Sequence, residues 1–501
     1  MGPCRQEITA GKGGGAEEPA KPLGPQPDRT EGAVVVTARA AAGRRGKTGA
    51  KAKPVAGAAP ATEMPGLAAR RAAARLLAAV VDARTSLDGL TDSEHGNPQF
   101  TALEPRDRSL VRAILAAALR HRLSIGALID SRLDRPLPAK AGTLLHILHV
   151  AAAQILFLDI PDSAAVNLAV AHAGSDPRTR RFAGLVNAVL RALAARKERA
   201  LPKVLATTRD APDWFAERLI AAYGPETADQ IMAAHRIEAP LDLTVRTDPG
   251  GWAQRLGGRL MPNGTVRLVQ PGTPVPDLAG YAEGAWWVQD AAASLPARLL
   301  GAVDGLDVAD LCAAPGGKTA QLANAGASVT AVDGSANRLR RLGVNLERLG
   351  LKAEIVRADV ATWQPDRLFG AVLLDAPCSA TGTLRRHPDV AWTKSPEDIA
   401  KLAAAQRRLL DAASSLVRPG GRLVFSNCSL NPEEGELLVA DFLAARPDFR
   451  REPVGPAEFD GLDGLVDANG DLRTTPADWA AEDARWSGMD GFFASRLRRT
   501  G

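Results

Sequence analysis

The chain has 501 residues, of which 46% are hydrophobic and 24% charged, and this ordinary globular composition excludes a wholly disordered protein. Its most apolar segment, residues 144–158, is interrupted by two histidines and a glutamine, which excludes an integral membrane protein. The cysteines are too few and too widely spaced for a disulfide framework or a zinc site, so we expect a protein of the reducing cytoplasm with no bound metal. We also expect a monomer. The cysteines are Cys4, Cys312, Cys378 and Cys428.

The net charge of +5 is unevenly distributed along the chain. Residues 1–65 carry +4, residues 66–200 carry +7 and residues 201–501 carry −6. The positive excess therefore lies in the first 200 residues, and because RNA presents phosphates, we expect the phosphate contacts to lie mainly in residues 66–200.

Four segments follow one another along the chain. Residues 1–65 are rich in Ala, Gly, Pro, Lys and Arg without apolar periodicity, and we predict a disordered basic tail that is either featureless or weakly RNA-binding. Residues 66–200 carry apolar residues at helical spacing and predict an all-α domain, either a scaffold or an RNA-binding unit. Residues 201–290 mix predicted helices (213–222, 226–234) with predicted strands (241–246, 266–269), which indicates a small α+β connector.

Residues 291–501 alternate predicted strands with predicted helices. The helices include residues 336–349 and 397–417. Such alternation predicts an α/β doubly wound, mostly parallel Rossmann-like sheet that holds ligands at the carboxyl ends of its strands. The predicted strands cover residues 306–311, 328–332, 355–358, 371–374, 422–426 and 493–497.

A glycine-containing loop follows the first of these strands. Residues 310–319 read DLCAAPGGKT, in which Gly316 and Gly317 allow the backbone to approach a ligand closely. Asp333 and Asp359 end the second and third strands, where carboxylates can bind a ribose and an adenine. Each acid alone could be a helix N-cap, but three acids at successive strand ends, namely Asp310, Asp333 and Asp359, around one glycine loop indicate an adenosyl cofactor.

Two cysteines follow the next two predicted strands. Residues 374–383 read LDAPCSATGT and contain Cys378, and residues 424–434 read VFSNCSLNPEE and contain Cys428. Neighbouring strands lie about 4.8 Å apart, so both thiols are expected to converge on one cleft beside the cofactor. A single buried cysteine is usually a small core residue, whereas two in polar loops at adjacent strand ends indicate reactive thiols. Cys312, inside the glycine loop, is a weaker candidate for a reactive thiol than Cys378 and Cys428.

These motifs, together with LRRHPD at residues 384–389 and DGFFASRL at residues 490–497, resemble the RNA 5-methylcytosine methyltransferases of the NOL1/NOP2/Sun class. The resemblance covers about residues 285–501, with four motifs in the family's order. Within the helical segment, AAVN at residues 164–167 and AGLVNAVLR at residues 183–191 resemble the NusB-like domain. This pairing of domains is similar to that of a bacterial ribosomal RNA methyltransferase.

The resemblance implies methyl transfer from S-adenosyl-L-methionine to C5 of a cytosine in RNA, with 16S ribosomal RNA as the expected substrate and transfer RNA as the alternative. It implies that Cys428 attacks C6 of the cytosine, that Cys378 helps to remove the C5 proton, and that Asp375 binds the edge of the base. The target base has to be unstacked to reach the cleft. The implied cofactor contacts are Cys312, Ala313, Ala314, Pro315, Gly316, Gly317, Lys318, Asp333, Asp359 and Asp375.

Two details of the motifs add expectations of their own. The family has Thr before its nucleophilic cysteine, whereas this chain has Asn427. Because Asn can still form hydrogen bonds, activity is expected to be retained, and the sequence leaves the local geometry at Cys428 open. Arg385 and Arg386, which follow the Cys378 loop, are expected to guide the target strand into the cleft.

Two rival functions stay open at this point. A DNA cytosine methyltransferase would use Cys378 as its nucleophile, but the second thiol and the helical segment argue against it. A non-catalytic RNA-binding assembly factor would keep the fold as a relic, although both cysteines and the cofactor acids are present in the chain.

Overall fold

A computed structural model describes residues 64–138, 141–455, 458 and 460–500. The first of these residues form a bundle of α-helices. The predicted tail lies outside the described residues except for its last two. The bundle confirms the predicted all-α segment. Its helices are α1 (Leu67–Val81), α2 (Leu87–Leu90), α3 (Pro98–Thr101), α4 (Pro105–Arg120), α5 (Arg122–Asp130), α6 (Gly142–Phe157), α7 (Asp162–Ser175), α8 (Ala183–Ala194) and α9 (Lys197–Thr207).

Helix α6 is the central helix of this bundle. It contacts α1, α4, α5, α7 and α8, and most of its residues are buried, because its sequence is apolar on nearly every side. The apolar segment noted in the sequence is therefore a core helix. Among the described helices, none combines the length and the apolar character that a bilayer crossing requires. Helix α9 packs against α5, so residue 200, the predicted end of the helical domain, lies inside a helix of the bundle.

The connector contains three helices and a small antiparallel sheet with the strand order β2-β3-β1-β4. Two of its strands and two of its helices match the predicted ones to within two residues, whereas β2 and β4 were not predicted. Its elements are α10 (Asp213–Tyr223), α11 (Pro225–His235), β1 (Leu241–Val245), α12 (Pro249–Leu256), β2 (Arg259–Leu260), β3 (Val266–Leu268) and β4 (Trp286–Val288).

The large sheet has the order β10-β12-β9-β8-β5-β6-β7, and β11 pairs with β12. Strands β5 to β9 are parallel, and β12 joins β9 antiparallel, which confirms the predicted Rossmann-like, mostly parallel sheet. The strands are β5 (Asp307–Leu311), β6 (Ser328–Asp333), β7 (Glu354–Arg357), β8 (Phe369–Asp375), β9 (Val417–Asn427), β10 (Phe449–Arg451), β11 (Leu472–Thr474) and β12 (Phe492–Arg499). The helices are α13 (Leu295–Arg298), α14 (Gly317–Asn324), α15 (Ala336–Leu349), α16 (Val390–Thr393), α17 (Pro396–Ser415) and α18 (Glu436–Ala445).

Alternate residues of the central strands enter two different cores. In β8, Ala371 and Leu373 pack toward α13, whereas Val372 and Leu374 pack toward α17 and α18. Because successive side chains of a strand point to opposite faces, both faces of the sheet are covered by packed side chains. The strand order reverses between β5 and β8, because the chain runs outward from β5 through β6 to β7 and then returns to β8. A ligand crevice is expected at that reversal, next to the carboxyl ends of both strands.

Candidate active site

The glycine loop connects β5 with α14 in a conformation that its sequence explains. Gly316 has a φ of +101°, and a Cβ atom there would lie 2.8 Å from Cγ of Leu342, so only glycine fits. Ala313 N donates to the carbonyl oxygen of Val332 at 3.1 Å, and Ala314 N donates to the Asp333 carboxylate at 3.3 Å. The loop is thus fixed across the ends of β5 and β6.

A cavity of about 300 Å³ lies between this loop and the connector. Asp310 lines it and is completely buried in β5. Its Oδ2 accepts a hydrogen bond from Thr319 at 2.6 Å, whereas its Oδ1 has no partner among the described residues. Burial raises the pKa of Asp310 to about 7, so this carboxyl group changes charge near neutrality.

The structure brings only some of the predicted cofactor residues to this cavity. Of the implied contacts, its lining includes Ala313, Ala314, Pro315, Gly316, Gly317, Lys318 and Asp375. Within the described chain, the other three lie outside that lining. Cys312 packs beside the core under the sheet, and burial raises the pKa of its thiol to about 12.

The two remaining acids are engaged in local contacts. Asp333 is buried, accepts Ser335 N at 2.9 Å and pairs with Arg338 at 3.2 Å. Asp359 is exposed two residues after β7 and accepts Ala361 N at 3.0 Å, which is the turn-capping arrangement.

The connector supplies the opposite wall of the cavity, which sequence reasoning missed. Trp287, Gln289 and Asp290 line it at the end of β4. Gln289 accepts from the Trp287 indole at 2.9 Å and donates to the side chain of Gln321 at 2.8 Å, which ties the connector to α14. Asp310, one of the three strand-end acids that indicate the cofactor, was not predicted as a cofactor contact, although its place before the glycine loop is a usable signal.

The two candidate catalytic cysteines meet at the carboxyl ends of β8 and β9. These strands are parallel neighbours with Asp375 opposite Ser426, and Sγ of Cys378 lies 3.4 Å from Sγ of Cys428. Both thiols are reduced and partly exposed in what we call the cysteine cleft. The hydrogen bond to Cys428, together with burial, raises the pKa of Cys378 well above the ordinary thiol value.

Asp375 and Lys318 connect the cofactor cavity with the cysteine cleft. Lys318 Nζ donates to Oδ2 of Asp375 at 2.7 Å and lies 5.0 Å from the centre of the Phe492 ring. Oδ1 of Asp375 accepts from the Ser426 hydroxyl at 3.0 Å. One ion pair is therefore shared by the glycine loop and the strand that precedes Cys378.

Asn427, the departure from the family motif, is buried beneath the nucleophile candidate. Its Nδ2 donates to the carbonyl oxygen of Glu434 at 2.6 Å, and its Oδ1 accepts Ser429 N at 3.0 Å. The side chain thus bridges both ends of the loop that carries Cys428, which a threonine hydroxyl is too short to do.

Arg385 and Arg386 are engaged in ion pairs within the fold, whereas the sequence-based expectation had them available to guide an RNA strand. Arg385 is 3% exposed and lies 3.5 Å from Asp490 and 3.6 Å from Asp290. Arg386 lies 2.6 Å from Asp290 and 3.2 Å from Asp490. Both guanidinium groups are therefore held by buried acids, and they join the Cys378 loop to the connector and to the segment before β12.

The helical bundle contacts the chain that continues from the Cys378 loop. Leu87 N donates to the Asp389 carboxylate at 2.9 Å, and the His387 imidazole lies 3.4 Å from Asp88. The Trp392 indole donates to a carbonyl oxygen at the end of α4 at 3.1 Å. The hydrogen bond to Asp88 raises the pKa of His387.

Within the described residues, no group of three or more His, Cys, Asp or Glu is arranged to hold a metal ion.

Two protein-family models match this chain. Residues 67–195 match the NusB family, and residues 297–498 match the family described as 16S rRNA methyltransferase RsmB/F.

Curated proteins and solved structures resemble the same regions. The chain is 35% identical over 408 residues to ribosomal RNA small subunit methyltransferase B of Vibrio cholerae, covering 78% of this chain and 92% of that protein. It is 37% identical over 416 residues to the protein of the same name from Xanthomonas campestris, covering 79% and 92%. The crystal structure of PH0851 superposes with a TM-score of 0.64 at 22% identity, covering 87% of this chain and 99% of the other, which shows a shared fold.

Proposed function

Because this chain belongs to the family of ribosomal RNA small subunit methyltransferase B, we propose that it methylates C5 of a cytosine in 16S ribosomal RNA through a covalent adduct with Cys428. The family assignment makes the chain a ribosomal RNA methyltransferase that uses S-adenosyl-L-methionine. The target atom and the thiol chemistry are our proposal, and the 3.4 Å contact between Cys378 and Cys428 is the observation that carries it.

The cofactor cavity fits S-adenosyl-L-methionine on two structural grounds. The unpartnered Oδ1 of Asp310 is a buried acceptor suited to the ammonium group of the cofactor. Gly317 begins α14, and a Cβ atom there would lie 3.4 Å from the Gln289 amide on the opposite wall, so a larger side chain would narrow the cavity at the start of this helix. When bound, the cofactor supplies an electrophilic methyl group. Asp333 keeps free lone pairs for a ribose despite its local contacts.

The cysteine cleft supplies the activation that the base needs. C5 of cytosine is a poor nucleophile until a thiolate adds to C6, and Cys428 makes that bond. In this scheme Cys378, whose pKa is raised, keeps its proton and is the donor in the contact with the attacking sulfur of Cys428. Asp375, held by Lys318 and Ser426, accepts hydrogen bonds from the edge of the base.

Release of the product reverses the first bond. Once Cys428 is bonded to C6, its negative charge is gone and the pKa of Cys378 falls, so Cys378 can lose its proton to solvent. Cys378 then accepts the C5 proton, and the electron pair of the C5–H bond forms the C5–C6 double bond as the C6–S bond breaks. The Cys428 thiolate is restored.

RNA binding by the helical bundle and cytoplasmic action are part of the same proposal. Residues 66–200 carry +7, which suits contact with phosphates and predicts binding that weakens with salt. The target base is unstacked before it enters the cleft. Ribosomal RNA in the cytoplasm is the substrate, and transfer RNA is the alternative that the assay below separates.

Trapping of the adduct tests the roles of the two thiols. Cys378→Ala is expected to accumulate a covalent protein–RNA complex on denaturing gels, because the adduct forms and cannot be resolved. Cys428→Ala is expected to form none, and the double variant serves as the matched control. The reverse pattern would assign the nucleophile to Cys378, as in DNA cytosine methyltransferases.

Bisulfite sequencing of cells that lack the gene identifies the substrate. A cytosine of 16S ribosomal RNA is expected to lose its methyl mark and to regain it when the wild-type gene, but not Cys428→Ala, is restored. Loss of a mark in transfer RNA alone would select the alternative substrate. No incorporation of tritiated methyl groups into any RNA would favour the non-catalytic assembly factor.

A further inference from the structure

Glu434 is a completely buried carboxylate that lies between the two cysteine loops. It ends the short 3-10 helix Pro432–Glu434, six residues after Cys428. An ionised carboxylate is costly to bury unless hydrogen-bond donors surround it. The donors around this one therefore indicate what the group does.

Both oxygens of Glu434 bind the residues that directly follow the cysteines. Oε1 accepts Ser379 N at 2.8 Å, and Ser379 follows Cys378. Oε2 accepts the hydroxyl groups of Ser379 and Ser429, and Ser429 follows Cys428. One carboxylate thus bridges the two loops immediately behind their thiols.

Further groups hold Glu434 itself in place. Gln406 of α17 donates to Oε1 at 2.8 Å, and Asn431 donates to Oε2 at 3.4 Å. Asn427 donates to the Glu434 main-chain oxygen at 2.6 Å. With the two serines, the side chain has five donors, all of them neutral. Neutral donors therefore satisfy both oxygens of Glu434.

The charge acts on the thiols next to it. Besides the contact with Cys428 and burial, the negative charge of Glu434 also raises the pKa of Cys378. Glu434 thus contacts the residue that follows Cys378 and also helps to keep the proton on the Cys378 thiol.

We propose that Glu434 is a positioning residue that holds Cys378 and Cys428 in contact by bridging Ser379 and Ser429. The inference deepens the proposed function, since it names the group that sets the geometry of the thiol pair. Its central claim, however, concerns the distance between two sulfur atoms, which can be measured without methyl transfer.

The rate at which Cys378 and Cys428 form a disulfide reports the distance between their sulfur atoms. Diamide takes one hydrogen from each thiol and is itself reduced to the hydrazine, so the reaction needs both sulfurs in reach of each other. Glu434→Gln has the same size, but its amide group presents donors to a site that already holds five donors. We expect the Cys378–Cys428 disulfide, quantified by peptide mass spectrometry, to form about tenfold more slowly than in the wild type.

Glu433→Gln is the matched control, because Glu433 is the preceding residue, points to Arg218 and is 44% exposed. Its disulfide rate is expected to equal that of the wild type. The double variant Ser379→Ala/Ser429→Ala removes the bridge while Glu434 stays, and it is expected to be slowed as well. If Glu434→Gln does not fold, this double variant alone decides. Wild-type rates in either test variant would overturn the proposal.

Activity measurements separate positioning from general damage. In Glu434→Gln, we expect kcat to fall about 100-fold, because misplacing a reacting group by about 1 Å costs that much. KM for RNA and the Kd of S-adenosyl-L-methionine are expected to stay unchanged. If the wild type transferred no methyl group, the proposed function would fail, but the disulfide rates would still decide the role of Glu434.

Discussion

The cofactor cavity and the cysteine cleft share the Lys318–Asp375 ion pair, yet they are built in opposite ways. On the cofactor side, Asp310 keeps a buried oxygen without a partner in the described chain. On the cysteine side, Glu434 and Asn427 have all their side-chain oxygens and nitrogens hydrogen-bonded. An unsatisfied buried acceptor costs stability until a ligand arrives, whereas a satisfied network stabilises the free protein.

The cofactor cavity therefore gains stability when the cofactor binds, whereas the cysteine cleft is already ordered before the substrate arrives. Burial of the Asp310 carboxylate destabilises the free protein, and the ammonium group of bound S-adenosyl-L-methionine would neutralise it. Bound cofactor is therefore expected to stabilise the fold. The cysteine side holds its thiols in contact before any substrate is present, which suits a cleft that must act on one unstacked base.

The largest expected effect that distinguishes the two sides follows from Asp310→Asn. A hydrogen bond to a charged group contributes roughly 1.5–3 kcal/mol, so the Kd of S-adenosyl-L-methionine in calorimetry is expected to rise about 10- to 100-fold. The melting temperature of the free protein at pH 8 is expected to stay or to rise. The reason is that the raised pKa of Asp310 makes the folded state bind more protons, so this carboxyl group destabilises the fold as pH rises from about 4 to 7.

The pH dependence of cofactor binding is the control for this variant. In the wild type, affinity is expected to increase from pH 5.5 to pH 7.5, because the carboxyl group ionises near pH 7 while the cofactor amine stays protonated. Asp310→Asn removes that slope. A variant that binds as tightly as the wild type, with the slope intact, would show that the ammonium group is held elsewhere.

The next effect belongs to the cysteine side and is obtained with Asn427→Ala. The change leaves the Glu434 main-chain oxygen and Ser429 N without their buried partner, which costs roughly 1–3 kcal/mol. We expect a lower urea midpoint and a lower kcat, with the Kd of S-adenosyl-L-methionine unchanged. Asn427→Thr, which restores the family's residue, is expected to recover only part of the loss. If cofactor affinity fell as well, the two sides would not be independent.

Regular elements and nearby motifs could be predicted from the sequence, whereas long-range partners could not. The predicted helix over residues 336–349 has the observed bounds, because its apolar face and its flanking Ser335 and Gly350 are local signals. The helix predicted to reach residue 417 ends at Ser415, because Val417 already begins a strand. Strands β10 and β11 have three residues each, too few for a pattern of alternation to appear.

The site shows the same division. The two cysteine motifs, each at the end of a strand, were enough to predict that their thiols meet. The error over Arg385 and Arg386 arose because charge is visible in a sequence, whereas the acids that bind them, Asp290 and Asp490, lie about 100 residues away in either direction. Gln289 was missed, and Asp310 was recognised as a strand-end acid but not as a cofactor contact, because burial and the connector wall exist only in the folded chain.

The smallest expected effect concerns the contact of the helical bundle with the chain that follows the Cys378 loop. His387 gains a raised pKa from Asp88, so this pair stabilises the fold fully below about pH 6.5 and less as pH rises through the raised value. The Asp88 pKa is lowered in return, so the contribution is also lost in acid below its ordinary value. Asp88→Asn is therefore expected to lower the urea midpoint at pH 6 and to leave it unchanged at pH 9.

The magnitude of that change is limited by solvent. Both side chains are more than one third exposed, and exposed ion pairs contribute about 0.2–1 kcal/mol. Asp229→Asn is the matched control, because exposed Asp229 pairs with Arg209, whose charge does not change between pH 6 and pH 9. A pH-independent loss in Asp88→Asn would assign the effect to packing of α2. A loss confined to pH 6, with cofactor affinity untouched, would show that the helical bundle is coupled to the cysteine side without affecting the cofactor cavity.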